Sequence, residues 1–185
     1  MSDHTRGADL LVSSLLANGV DTCFANPGTS EMHFVAALDK VDGMRCVLLH
    51  TGPGLANGLA NLHNARRAHT PLLNIVGDHA STHLPFDAPL TTDIEGLARP
   101  MSDWVGRVSS ADTVGSDTAI ALTEARSGAG RVATLVLPAD AAWGAPGAAA
   151  QMPKATPEPL RETSPDAIDE AAKLLCGARR GLLLL

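Results

Sequence analysis

Two segments carry the residues best suited to chemistry. Asn26-Pro27-Gly28-Thr29-Ser30-Glu31 follows the short β-prone run Val20–Ala25 and leads into a helical stretch, Glu31–Leu38. A strand–turn–helix succession presents backbone N–H groups and hydroxyls at the carboxyl end of a parallel sheet, where open α/β proteins bind ligands. The commoner task of Thr29 or Ser30 in such a place is to cap the helix. One unit later, His50-Thr51-Gly52-Pro53-Gly54 repeats the arrangement, read as a strand end and a tight turn. Its glycines permit close backbone approach, and His50 is the acid–base candidate beside them. For His50 alone a structural role is the plainer reading; two such turns at one sheet edge strengthen the case for a ligand.

Other polar groups carry less. His79 and His83 stand at i, i+4, with Asp78 beside them, a zinc-compatible spacing only on a helix. Pro85 and the loop-like composition oppose a helix, and no further ligands can be named, so no metal site is expected. Arg66 and Arg67, with His63 and His69, sit at a helix C-terminus, where they complement the dipole as solvated charges. GxGxxG, Walker A, GxSxG and HExxH are all absent, which leaves dinucleotide, P-loop and α/β-hydrolase readings without an anchor.

These residues must be positioned by a chain of 185 residues with 45% hydrophobic and 18% charged residues, enough for one globular domain. A net charge of -6 without any Lys/Arg run argues against nucleic acid. No apolar stretch approaches the ~20 residues of a membrane span, and no signal-peptide core opens the chain, so a cytoplasmic protein is expected. Cys23, Cys46 and Cys176 are too few and too scattered for a disulfide framework. Apolar runs near 20–24, 45–50, 72–76 and 132–137, bounded by turn residues, predict a Rossmann-like α/β fold with a parallel sheet. Helices read as Gly7–Asn18, capped by Gly19, then Leu55–Arg67 and Ser116–Arg126, cover both of its faces. The segment 81–100 reads as a loop. The domain is expected over 1–145, with a proline-rich exposed linker over 146–165. Residues 166–185, a helix Asp166–Leu175 and the start of a strand, read as the truncated beginning of a central domain.

The run Gly19-Val20-Asp21-Thr22-Cys23-Phe24-Ala25-Asn26-Pro27-Gly28-Thr29-Ser30-Glu31, after a helix opened by Gly7-Ala8-Asp9, resembles the start of thiamine-diphosphate enzymes related to acetolactate synthase large subunits. His50-Thr51-Gly52-Pro53-Gly54-Leu55-Ala56-Asn57-Gly58 is similar to the family's Gly-Pro-Gly-x-x-Asn turn and helix, and 70–78 to the strand that follows; the likeness extends over about 7–145. The resemblance implies an N-terminal pyrimidine-binding domain for thiamine diphosphate, in homo-oligomeric, cytoplasmic enzymes that decarboxylate or join 2-keto acids. It implies cofactor contacts at Pro27, Gly28, Gly52, Pro53, Gly54 and Asn57, and catalytic roles facing substrate for Thr29 and His50. Mg²⁺ would be held by a separate diphosphate-binding domain; no Gly-Asp-Gly stretch occurs in these residues.

One departure stands out. Family members carry a strand ending in Glu, then a helix and a return strand, where Met44-Arg45-Cys46-Val47-Leu48-Leu49-His50 here joins the beginning of one strand to the end of the next. The expected loss is one strand–helix unit, about 25 residues. Glu31, inside the next helix, is no substitute for the acid–base Glu, whose absence should cost several powers of ten in cofactor activation. The expectation is therefore an inactive, marginally stable fragment. The alternatives are a non-catalytic domain that pairs with a full-length homologue, or an α/β small-molecule binder that has lost the cofactor.

Overall fold

The computed structural model describes residues 5–22, 32–38, 40, 49–148, 150–160 and 162–177. In chain order these form α1 (Gly7–Ala17), α2 (Met32–Leu38), β1 (Leu49–His50), α3 (Thr51–Arg67) and β2 (Leu72–Asp78). There follow α4 (Ile94–Ala98), β3 (Trp104–Arg107), α5 (Val114–Arg126), β4 (Val132–Pro138), α6 (Ala139–Trp143) and α7 (Pro165–Gly177). The sheet has order β1-β2-β4-β3 with all pairs parallel, as the alternation of apolar runs and helices predicts.

Parallel strands need cover on both faces, and alternate residues of the central strands supply it. Ile75, Leu135 and Leu137 pack with Leu11 and Leu15 of α1, Phe34 of α2 and Leu122 of α5. Val76, Val132 and Val136 pack on the other face with Leu55 and Leu62 of α3 and Ile94 and Ala98 of α4. Every residue of β4 is buried. Within this apolar setting lies one polar tie across three chain segments. The Asn74 amide donates to Thr134 Oγ1 at 3.1 Å, and the hydroxyls of Thr134 and Ser102 meet at 2.7 Å.

Several expectations are corrected. Gly52-Pro53-Gly54 is not a tight turn but the first turn of α3, which begins at Thr51 with His50 as its N-cap. The first N–H groups of a helix lack intrahelical partners, so proline is tolerated there. Trp104–Arg107 is an unforeseen edge strand. The 81–100 segment holds two short 3₁₀ turns and α4, whose N-cap Asp93 accepts the Gly96 N–H at 2.8 Å. Of the run expected near 20–24, Val20 and Asp21 form no strand and Thr22 only an isolated bridge, while 23–24 lie outside the described residues; of that near 45–50, Leu49–His50 form β1 and 45–48 lie outside them. Gly19 closes α1 as expected, at φ 73 with its N–H on Leu16 O.

The proline-rich stretch after α6 leaves its side chains mostly exposed, yet its backbone is pinned to the end of α1 and along α5. Ala155 N–H donates to Asn18 Oδ1 (2.7 Å), Thr156 N–H to Thr123 Oγ1 (3.0 Å) and Glu158 N–H to Ser127 Oγ (2.9 Å). A Cβ at Gly115 would run into the Gln151 carbonyl, so the glycine allows this close approach.

Replacing Thr134 by Val keeps the shape but strands the Asn74 amide and the Ser102 hydroxyl in the sheet. The expected cost is about 1–3 kcal/mol, read from urea unfolding; an unchanged midpoint would deny the tie any role.

Candidate functional site

All strands run the same way, so their carboxyl ends share one edge. His50 ends β1 opposite Gly77 of β2, and α3 starts at the next residue. Thr51 makes this reversal at φ 51, an unusual conformation for a β-branched residue. Such strain costs of order 1–3 kcal/mol and collects at functional sites. Thr51 is also fully buried, and its Oγ1 has no hydrogen-bond partner among the described residues. The loop before α4 lies on this helix start: a Cβ at Gly52 would stand 2.5 Å from Thr92 Cβ. The neighbouring Thr91 hydroxyl is likewise buried and unpartnered. Gly52 and Gly54 are buried, whereas Pro53 and Asn57, one turn apart, are exposed.

Beside this lies an ionic tie. Asp78, 1% exposed at the end of β2, accepts Arg107 Nη1 at 2.8 Å and the His79 N–H at 2.7 Å. Arg107 Nε reaches Glu95 Oε1 at 2.9 Å, and Glu95 also pairs with Arg99 at 3.3 Å. Burial works against the charge on Arg107, but its hydrogen bonds to Glu95 and Asp78 outweigh that and raise its pKa. The tie spans β2 to β3 across β4 and holds the edge in one arrangement.

His79 and His83 face each other with ring centroids 5.7 Å apart, on a loop that Ser81 anchors to Asp140 of α6. Among the described residues no three His, Cys, Asp or Glu side chains group closely enough to hold a metal ion. Of the residues singled out in the sequence, His50, Gly52, Pro53, Gly54 and Asn57 come together on the β1 end and the first turns of α3. Pro27, Gly28 and Thr29 lie outside the described residues. Sequence reasoning passed over Thr51, whose only signal is a β-branched residue between His50 and a glycine. It named Asp78 for a metal set rather than for Arg107, because that pairing joins residues far apart in the chain.

Comparison with known proteins supplies the remaining findings. The description "Thiamine pyrophosphate enzyme, N-terminal TPP binding domain" fits residues 5–50 and 44–97, two stretches that overlap in the run before α3. The chain is 50% identical over 162 residues to the "Putative acetolactate synthase large subunit IlvX" of Mycobacterium tuberculosis, covering 74% of this chain and 31% of that protein. It is 28% identical over 120 residues to the acetolactate synthase isozyme 3 large subunit of Escherichia coli, covering 51% of this chain and 21% of the relative. The 74% of this chain that aligns with the mycobacterial protein is about 137 residues, so about 25 of the 162 aligned positions stand opposite no residue here. The alignment to the E. coli protein, 120 positions against about 94 residues of this chain, leaves a similar shortfall. Among solved structures, the thiamine diphosphate-dependent 4-hydroxybenzoylformate decarboxylase of Rhodococcus jostii RHA1 superposes with a TM-score of 0.75 at 20% identity. The superposition covers 95% of this chain and 38% of that one, a likeness of fold. With its residues 5–97 matched and a parallel α/β sheet of the same fold, the chain belongs to the thiamine pyrophosphate enzyme family, as an N-terminal TPP-binding domain.

Proposed function

We propose that the chain is the pyrimidine-binding domain of an acetolactate-synthase-like enzyme acting on 2-keto acids, and that it has lost the segment bearing the acid–base Glu. The observation that carries this reading is the shortfall of about 25 aligned positions, together with a family match that breaks at residues 44–50. The size agrees with one strand–helix unit, and the break falls where the sequence fuses two strands.

The described residues fit a bound cofactor at the carboxyl edge. The start of α3 offers backbone N–H groups, the fully buried Thr51 hydroxyl has no partner among the described residues, and Gly52 and Gly54 keep the approach free of side chains. In this reading Gly52, Pro53, Gly54 and Asn57, with Pro27 and Gly28, hold the pyrimidine side of thiamine diphosphate. When bound, the cofactor supplies a nucleophilic carbon and an electron sink for cleaving or joining 2-keto acids. Thr29 and His50 face the substrate, where a hydroxyl and an imidazole can orient a carboxylate or move a proton. In this reading Mg²⁺ and the diphosphate belong to a separate diphosphate-binding domain, as the family resemblance implies. Transferase or lyase chemistry in a cytoplasmic homo-oligomer follows only for the whole enzyme; without the Glu this chain stays inactive.

A second reading, a non-catalytic domain that pairs with a full-length homologue, draws on one observation. Met32 and Val35 of α2 and Trp143 of α6 are exposed on adjoining helices, with the His33 ring tilted against Trp143 at a centroid distance of 5.2 Å.

Calorimetric titration with thiamine diphosphate and Mg²⁺ tests the first reading. Weak binding, little changed by Mg²⁺, is expected; tight, Mg²⁺-dependent binding would show that the chain holds the diphosphate itself, and complete absence of binding would favour a domain that has lost the cofactor. Thr51→Val removes the unpartnered hydroxyl without changing shape, so it should raise stability by about 1 kcal/mol while weakening cofactor binding. A destabilised Thr51→Val would place that hydroxyl in a protein hydrogen bond instead.

A further inference from the structure

The opposite edge of the sheet carries a groove of about 670 Å³ that the cofactor reading does not use. It lies between the last turn of α3, the 100–103 stretch and the 128–131 turn, at the amino ends of the strands. There Leu72 N–H donates to Arg131 O at 3.0 Å and Asp103 N–H to Val132 O at 2.8 Å, which sets the groove a strand's length from His50. The residues that line it include three arginines, Arg66, Arg67 and Arg131, the histidines His63 and His69, and one acidic residue, Asp103. On a chain of net charge -6 this is a local excess of positive charge in a concave place, where the field is focused.

The three cations are not equally engaged. Arg66 is fixed by Nε on Asp103 Oδ1 at 2.9 Å and Nη1 on the Pro100 carbonyl at 2.9 Å. Among the described residues Arg131 engages only Nη1, on Glu124 Oε2 at 3.1 Å, and keeps the rest of its fork. Arg67 has no hydrogen-bond or ion-pair partner among the described residues. Burial alone would raise the Asp103 pKa, but the Val132 N–H bond and Arg66 bring it below the ordinary value, so the carboxylate stays charged and its pairing is spent on one arginine. The turn is held close to α3: His69 lies at φ 51 and Gly130 at φ 104, and a Cβ at Gly130 would run into the His69 carbonyl.

We propose that this groove binds a small anion bearing a diphosphate group, at a site separate from the carboxyl edge. Guanidinium forks match phosphate oxygens two at a time, and the volume falls in the range of small-ligand sites. Arg67 and Arg131 supply the open donors, and Arg66, locked by Asp103, supplies fixed positive charge behind them.

The test titrates inorganic phosphate and pyrophosphate into the full 185-residue chain at low salt, by calorimetry, for the wild type and for Arg67→Ala, Arg131→Gln, their double variant and His50→Ala. Arg67 is exposed and unpartnered, so its replacement leaves the fold intact, which circular dichroism verifies. Expected are saturable binding, pyrophosphate tighter than phosphate, a loss of tenfold or more in the double variant, and no change in His50→Ala. Tighter phosphate than pyrophosphate would assign the site to a monophosphate and overturn the proposal. No saturable binding overturns the proposal, as does binding lost in His50→Ala and kept in the arginine variants, which would assign the anion to the cofactor edge.

Discussion

The seven-pair parallel register between β2 and β4, from Leu72 opposite Val132 to Asp78 opposite Pro138, is the interaction on which the rest depends. A parallel pair cannot be joined by a hairpin, so helices must cross over and cover both faces. That requirement makes β4 buried throughout and divides the aliphatic residues into two cores. It also gives the molecule two chemically different edges. The carboxyl edge gathers His50, the start of α3 and the Asp78–Arg107–Glu95 tie, whereas the amino edge gathers Arg66, Arg67 and Arg131.

Polar groups lock this register rather than merely tolerate it. Thr134 joins β2 to the segment before β3 through Asn74 and Ser102, and Arg107 joins β3 to the end of β2 through Asp78. Removing Arg107 would leave the buried Asp78 carboxylate with only the His79 N–H, a cost of about 1–3 kcal/mol because the arginine is itself partly solvated. The unusual backbone at Thr51 follows β1, which pairs with the other side of β2, and its helix start is covered by the loop before α4.

How much of this could be read from residues alone follows from the physics of each element. The runs 72–76 and 132–137 are continuous apolar segments and were legible; pairing with each other extends them to Asp78 and Pro138. Trp104–Arg107 is short, half-exposed and carries Gly106 and Arg107, so no pattern marks it until β4 pairs with it. Gly52-Pro53-Gly54 has turn chemistry, yet the same residues suit a first helical turn, and only the position of the neighbouring strand decides between them. The pair Arg66–Arg67 reads as solvated dipole partners on α3; the fold adds Arg131 and Asp103 from distant segments and makes a groove of them. The candidate residues His50, Gly52, Pro53, Gly54 and Asn57 are legible as a group because they are contiguous in sequence, whereas the Thr51 hydroxyl is not, because burial without a partner is a property of packing.

The proposed account places an intact binding edge beside a missing acid–base group, and these two properties can be separated. The chain would be joined to the remaining domains of a related acetolactate-synthase-like enzyme, with and without a family-like strand–Glu–helix–strand segment inserted between Leu48 and Leu49. Turnover of pyruvate and benzoylformate by the two chimeras is the deciding measurement. The account predicts activity with the insert and none without it, since acid–base catalysis of cofactor activation would be restored only there. Turnover at the parent enzyme's rate without the insert would contradict it and assign cofactor activation to another group, His50 first.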